Sequence, residues 1–332
     1  MVLRGVCRSL HSRSLTTRSF HTVLLILTLA TMTSVRSILG EAEALASPSR
    51  SNKIYIGCNW KCSIERPAEA DQLIEEINAA WTNDLDQAAR DGVELSVHPP
   101  YVFLDRVRQK LHPDIAVGSQ NLYDASSANS NNGNNKNTGA TTQTMLSGLG
   151  VTWVLLGHSD RRNNLGETDS LIAEKAQKVL TCDQGKLRIC LTLGELGSQR
   201  ESGETEVVLK KQLSAVAEVV PDRADAWSRV VLAYEPVWAV GEGATPCPPE
   251  EAQRIHKMLR NHIRETVSPA AAAACRITYT GSVNEENAAA YAALSEVEGF
   301  VLGRAGLDAT KLSSIIRTIV GAKRSTPAKA NL

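Results

Sequence analysis

Eight short apolar runs, separated by stretches of helical periodicity, constrain this chain more than any other feature of its 332 residues. The runs are Ile54–Ile56, Val93–Val97, Ile115–Val117, Trp153–Leu156, Ile189–Leu193, Val230–Ala233, Ile277–Tyr279 and Phe300–Leu302. They are continuous rather than alternating, which is the pattern of strands buried on both faces of a parallel sheet. The gaps carry apolar residues at helical spacing. Ala70, Leu73, Ile74, Ile77 and Trp81 share one face, and Ala252, Ile255, Leu259 and Ile263 share another. Pro67 opens the first of these helices; Pro248-Pro249, followed by Glu250 and Glu251, opens the second. Eight such units predict an α/β chain folded as a single (β/α)8 barrel over residues 53–322. The rival, a doubly wound open sheet, carries a glycine-rich turn after its first strand. Here that strand leads into Gly57-Cys58-Asn59-Trp60-Lys61, which lacks the pattern.

Three segments fall outside the repeat. Residues 1–52 read as a targeting leader, with Arg4, Arg8, Arg13, Arg18 and Arg36, many Ser and Thr, and no acid before Gly40. Val23–Ala30 is too short an apolar run to span a bilayer, so no stable membrane anchor is expected. As a signal h-region with an Arg/Ser address behind it, the leader would suit a secondary plastid. A plain plastid or mitochondrial presequence competes, as does a tail with no address. Residues 126–137 form an Asn-rich insertion read as an exposed surface loop, and residues 323–332 read as a tail. The leader holds most of the chain's positive bias. The chain is neutral overall, so the body is mildly acidic and no nucleic-acid partner is expected. The seven scattered cysteines include no C-x-x-C, which predicts free thiols and no metal site.

The stretch Ala233-Tyr234-Glu235-Pro236-Val237-Trp238-Ala239-Val240-Gly241 carries the chemistry. Glu235 stands at the carboxyl end of a buried strand, and Pro236 ends the ladder. Gly241 and Gly243 then allow a hinged loop, so a carboxylate lies beneath a lid that excludes water, as proton abstraction requires. Asn59 and Lys61 follow the first strand, His158 the fourth, Gly281-Ser282 the seventh and Gly303 the eighth. A lone His or Lys in such a position is usually structural or solvated. Together they describe one pocket with a base, a donor, a cation and a backbone cradle for an anion.

These residues carry a resemblance. Asn59-Trp60-Lys61, His98-Pro99-Pro100, Gln120-Asn121, Trp153 to Ser159, Arg161-Arg162, Gly166-Glu167, Gly194-Glu195, Tyr234 to Gly241 and Gly281-Ser282 resemble triosephosphate isomerase, over about Lys53 to Ile319. The resemblance implies a TIM barrel that interconverts dihydroxyacetone phosphate and D-glyceraldehyde 3-phosphate through an enediolate. It implies a homodimer and no cofactor. In this pattern Glu235 is the base, neutral His158 donates to the enediolate oxygens, and Asn59 and Lys61 stabilise the oxyanion. The phosphate rests on backbone N–H groups at Gly241, Ser282, Gly303 and Arg304, under a lid from about Pro236 to Thr245.

Several positions depart from the pattern. Asp160 stands where the family has Glu, so its contact to Lys61 is expected to reach less far. Arg304 replaces a glycine beside the phosphate, and Thr280 replaces one where a positive φ would be awkward. Thr192 stands for Cys. Ala140 of Thr138-Gly139-Ala140 replaces the Glu that crosses the dimer interface to the Arg matched by Arg161. Two functional classes are therefore weighed: an active isomerase, and a degenerate barrel that binds a phosphorylated metabolite without turnover. The intact set Asn59, Lys61, His158 and Glu235 favours the first.

Overall fold

The computed structural model describes residues 52–122, 138–182, 187–241 and 243–325. The predicted leader up to residue 51, the Asn-rich insertion, residue 242 of the lid and residues 326–332 lie outside the described residues.

Eight parallel strands close into a barrel in sequence order. They are β1 (Ile54–Asn59), β2 (Val93–His98), β3 (Ala116–Ser119), β4 (Trp153–Leu156), β5 (Arg188–Leu193), β6 (Val230–Tyr234), β7 (Arg276–Tyr279) and β8 (Gly299–Leu302). Seven of the eight predicted runs lie within a strand, and most of those strands run on by a residue or more; β3 sits one to two residues later than Ile115–Val117. Closure comes from β1, which pairs Asn59 with His98 on one side and Tyr55 with Gly299 on the other.

The principal outer helices are α1 (Pro67–Ala79), α2 (Leu104–Lys110), α3 (Gln143–Gly148), α4 (Asp169–Thr181), α5 (Thr205–Ala217), α6 (Pro249–Thr266), α7 (Ala288–Ala292) and α8 (Ala309–Ser325). Their starts follow local chemistry. Thr168 Oγ1 accepts the Leu171 N–H at the head of α4, and Asp308 does the same for Lys311 at the head of α8. The stripe Ala252, Ile255, Leu259 and Ile263 is fully buried against the sheet. Two boundaries differ from the sequence reading. Trp81 is buried as expected but lies on a π-helical turn, Ala80–Asp84, that continues α1. The last helix also passes the predicted limit at 322: Lys323 Nζ donates to the Leu294 carbonyl and Arg324 to that of Ala88, which holds the final turn.

One apolar layer fills the space between strands and helices, and a second, smaller one fills the barrel. Inside the barrel the Tyr55 and Trp153 rings lie 4.5 Å apart. Towards the amino ends of the strands, Arg276 and Arg188 lie over these rings and pair with Glu94. That end is plugged by packed rings and compensated charge. Open space is left at the carboxyl ends, where loops carry function in this architecture.

Candidate active site

A cleft of about 650 Å³ opens over the carboxyl ends of the strands. Asn59, Lys61, His158, Glu235, Gly241, Ser282, Gly303 and Arg304 all line it, so the structure brings together every predicted site residue except Asp160, which stands at its edge against Lys61.

Glu235 is 1% exposed and sits one residue past β6, where its backbone N–H still donates to the Leu193 carbonyl. Its carboxylate is held by Ser159, whose backbone N–H donates to Oε2 and whose hydroxyl donates to Oε1, each at 2.9 Å. His158 Nε2 lies 3.3 Å from the same Oε1. The other ring nitrogen, Nδ1, receives the backbone N–H of Asp160 at 3.1 Å. A backbone N–H only donates, so Nδ1 accepts and the proton of the neutral ring sits on Nε2, facing Glu235 and the cleft.

Lys61 is the only non-glycine residue with positive φ among the described residues, at 50°. Such a backbone is sparsely populated and must be held by its surroundings. Asn59 Oδ1 accepts the Lys61 N–H at 3.0 Å, and Gln120 Nε2 donates to its carbonyl at 2.6 Å. The Lys61 amine pairs with Asp160 at 3.0 Å. The shorter acid therefore reaches its partner, from the first residue of the turn Asp160–Asn164. Burial opposes the charge on Asp160, while the hydrogen-bonded ion pair with Lys61 favours it.

On the opposite wall, Thr280 lies outside the positive-φ region and its N–H donates to the Tyr234 carbonyl at 2.8 Å, so the expected strain is absent. Gly281 is required for another reason: a Cβ there would meet the Tyr279 hydroxyl at 2.2 Å. Arg304 is exposed but holds a contact to the lid. Its Nη2 donates to the carbonyl of Gly241 in the lid at 3.3 Å. The start of the lid is anchored from below. Trp238 Nε1 and the Tyr234 hydroxyl both donate to buried Glu195, at 2.8 and 3.1 Å, while Arg200 stacks 3.6 Å over the Trp238 ring. Burial pushes the Glu195 carboxyl pKa up. Ser159, Gln120 and Glu195 lay within motifs quoted from the sequence, but nothing in the sequence revealed what they touch.

Among the described residues no group of His, Cys, Asp and Glu is arranged to hold a metal ion, and no helix is long and apolar enough to cross a membrane.

A buried carboxylate, an Nε2–H donor and a lysine around one cleft at the carboxyl ends of a (β/α)8 barrel define a class: barrel enzymes that move a proton to and from carbon. A profile of the family described as triosephosphate isomerase matches residues 54–319. The chain is 34% identical over 282 residues to "Triosephosphate isomerase, chloroplastic" of Secale cereale, covering 85% of this chain and 87% of that one. It is 36% identical over 271 residues to "Triosephosphate isomerase, cytosolic" of Stellaria longipes, covering 82% and 98%. The chain belongs to the triosephosphate isomerase family. It is an isomerase that interconverts dihydroxyacetone phosphate and D-glyceraldehyde 3-phosphate; the match supports this and not the barrel without turnover.

Proposed function

We propose that Glu235 is the base of this reaction, taking a proton from the carbon next to the substrate carbonyl and returning it to its neighbour. His158 Nε2–H donates to whichever oxygen gains charge, while the Lys61 amine and the Asn59 amide complete an oxyanion site. Asp160 holds the Lys61 amine between turnovers. The phosphate lies on backbone N–H groups at Gly241, Ser282, Gly303 and Arg304, and lid closure keeps water from the enediolate. The observation that carries this reading is the 3.3 Å separation of the buried Glu235 carboxylate from His158 Nε2 in a cleft that also holds Lys61. In deuterated water, the parent is expected to incorporate deuterium into product, and Glu235→Gln to lose isomerisation and exchange together. Isomerisation at the parental rate by that variant overturns the assignment.

The working form is a homodimer. Val102, Met145 and Leu165, on segments following β2, β3 and β4, are 82%, 57% and 62% exposed, and large exposed apolar side chains at the same end of the barrel favour a covered face. Within one chain Arg161 is already paired, with Glu167 at 2.6 Å, so the missing Glu at Ala140 leaves no unpaired charge there. Sedimentation of the parent and of Val102→Asp tests the dimer; a parent that sediments as a monomer refutes it. The basic, acid-poor leader and the relative named as chloroplastic support plastid delivery, with a secondary plastid included and mitochondria second. Fusing residues 1–52 to a fluorescent reporter tests this, and a cytosolic signal refutes it.

A further inference from the structure

His98 lies at the end of β2, 1% exposed, inside the barrel beneath the catalytic rim. Its ring joins a closed group of hydrogen-bonding side chains. Ring Nδ1 is 3.2 Å from the Ser119 carbonyl, which can only accept, so Nδ1 carries the proton and Nε2 accepts. Ser96 Oγ donates to the Tyr55 hydroxyl at 3.0 Å, and both hydroxyls face Nε2, at 3.0 Å from Ser96 and 3.2 Å from Tyr55. Each donor in the group therefore has an acceptor. The space for the ring comes from Gly118, where a Cβ would sit 2.3 Å from the ring carbon Cε1.

The backbone of the same residue faces the active site. The His98 carbonyl accepts the Trp60 N–H at 3.1 Å and Gln120 Nε2 at 3.0 Å. Gln120 Nε2 also reaches the Lys61 carbonyl at 2.6 Å. Gln120 directly follows Ser119, whose carbonyl the His98 ring holds. One residue thus fixes the first strand's exit through its carbonyl and the third strand's exit through its ring. Lys61, in its left-handed backbone, sits between them.

We propose that His98 is a positioning residue for Lys61: its ring–Ser119 bond sets Gln120, and Gln120 sets the strained backbone that presents the Lys61 amine to the substrate. The proposal rests on the reading of Lys61 as a substrate-facing cation.

The test uses two substitutions of nearly equal shape in the full chain. His98→Asn keeps an N–H near the position of Nδ1; His98→Leu does not. Expected for Leu is a rise of about tenfold in KM for dihydroxyacetone phosphate, the scale of a weakened charge-assisted contact, with a smaller fall in kcat. Asn is expected to recover most of that KM. The pair His98→Ala with Gly118→Ala, in which a methyl refills the space left by the ring without restoring a donor, is expected to behave like Leu. Parental KM in both Leu and the Ala pair overturns the proposal, as does an equal rise in Leu and Asn that follows their melting temperatures. Combination with Lys61→Gln separates the two readings. If Lys61→Gln alone leaves KM unchanged, the role of Lys61 fails. If it raises KM and His98→Leu adds nothing further, positioning through Lys61 holds; a full additional rise overturns it.

Discussion

Ser159 grips Glu235 by both carboxylate oxygens, through its own backbone N–H and its own hydroxyl, each at 2.9 Å. The bonds run from a residue just past β4 to one just past β6, so they fix the separation of two loops that line the cleft. They also define a resting position for the proposed base, turned to the loop that carries His158. To act, the carboxylate must exchange these bonds for a carbon-bound proton. Glu235→Asp shortens its reach by one methylene and spoils the approach geometry. We expect kcat to fall by about two to three orders of magnitude, the scale of a displaced catalytic group, with melting temperature almost unchanged. Steady-state rates in both directions and a thermal melt check this; near-parental kcat refutes it.

Ser159→Ala removes one of the two bonds and leaves the backbone N–H. The net worth of such a bond is about 1 kcal/mol, so the resting position loosens without being lost. We expect kcat to change less than about tenfold in either direction, a far smaller effect than at Glu235. A loss in rate as deep as that of Glu235→Asp would make Ser159 a participant in the chemistry and not a holder of the base.

The barrel was legible because burial on both faces leaves the same mark on every strand, a short continuous apolar run such as Val230–Ala233, which lies within β6. Glu235 was legible because Pro236 ends the strand beside it. Contacts between distant segments were not. Ser159 and Glu235 are 76 residues apart, and Gln120 and Lys61 are 59 apart; nothing local in either segment encodes the meeting. The shortened reach expected for Asp160 was an argument from side-chain length alone, and the acid meets Lys61 at 3.0 Å nonetheless. Trp81 kept the apolar spacing of α1, but periodicity alone does not distinguish an α-helical from a π-helical turn.

Asp160 already meets Lys61 at 3.0 Å, with both side chains roughly half in solvent. A longer acid gains little there, since exposed ion pairs contribute about 0–1 kcal/mol. Asp160→Glu is expected to hold kcat/KM within about fivefold of the parent, and Asp160→Asn to lose the ion pair and its salt sensitivity. Assays at low and high ionic strength distinguish these. A large gain for Glu would mean that the shorter acid limits turnover.

Arg304 touches the lid through its side chain, at the Gly241 carbonyl, while its backbone N–H belongs to the proposed phosphate cradle. The side chain is exposed, which keeps the bond weak. Arg304→Gly is expected to change KM less than about tenfold, or 1.4 kcal/mol. A larger rise in KM, with loss of its dependence on salt, would show that the guanidinium itself binds phosphate.

Two buried histidines should make the fold sensitive to mild acid. Burial pushes His98 and His256 down to about 4, against an ordinary value of 6.5. His98 is closed in by Tyr55, Ser96 and Ser119; His256 lies near Arg260 and Lys323 and against Glu296, whose carbonyl its Nδ1 meets. As pH falls below 6.5, the unfolded chain protonates both rings while the folded protein refuses until about 4, so stability is full above 6.5 and declines across that window. Each histidine accounts for on the order of 3 kcal/mol by linkage. Glu195, raised by its burial, works in the opposite direction and offsets part of this, while Glu167, held below the usual range, loses its contribution only at lower pH. His98→Asn removes one titrating ring and leaves the others in place. Urea unfolding at pH 7, 5.5 and 4.5 should give a steep decline for the parent and roughly half that slope for the variant. Equal slopes would mean that the His98 ring takes up its proton in the folded barrel as readily as in the unfolded chain.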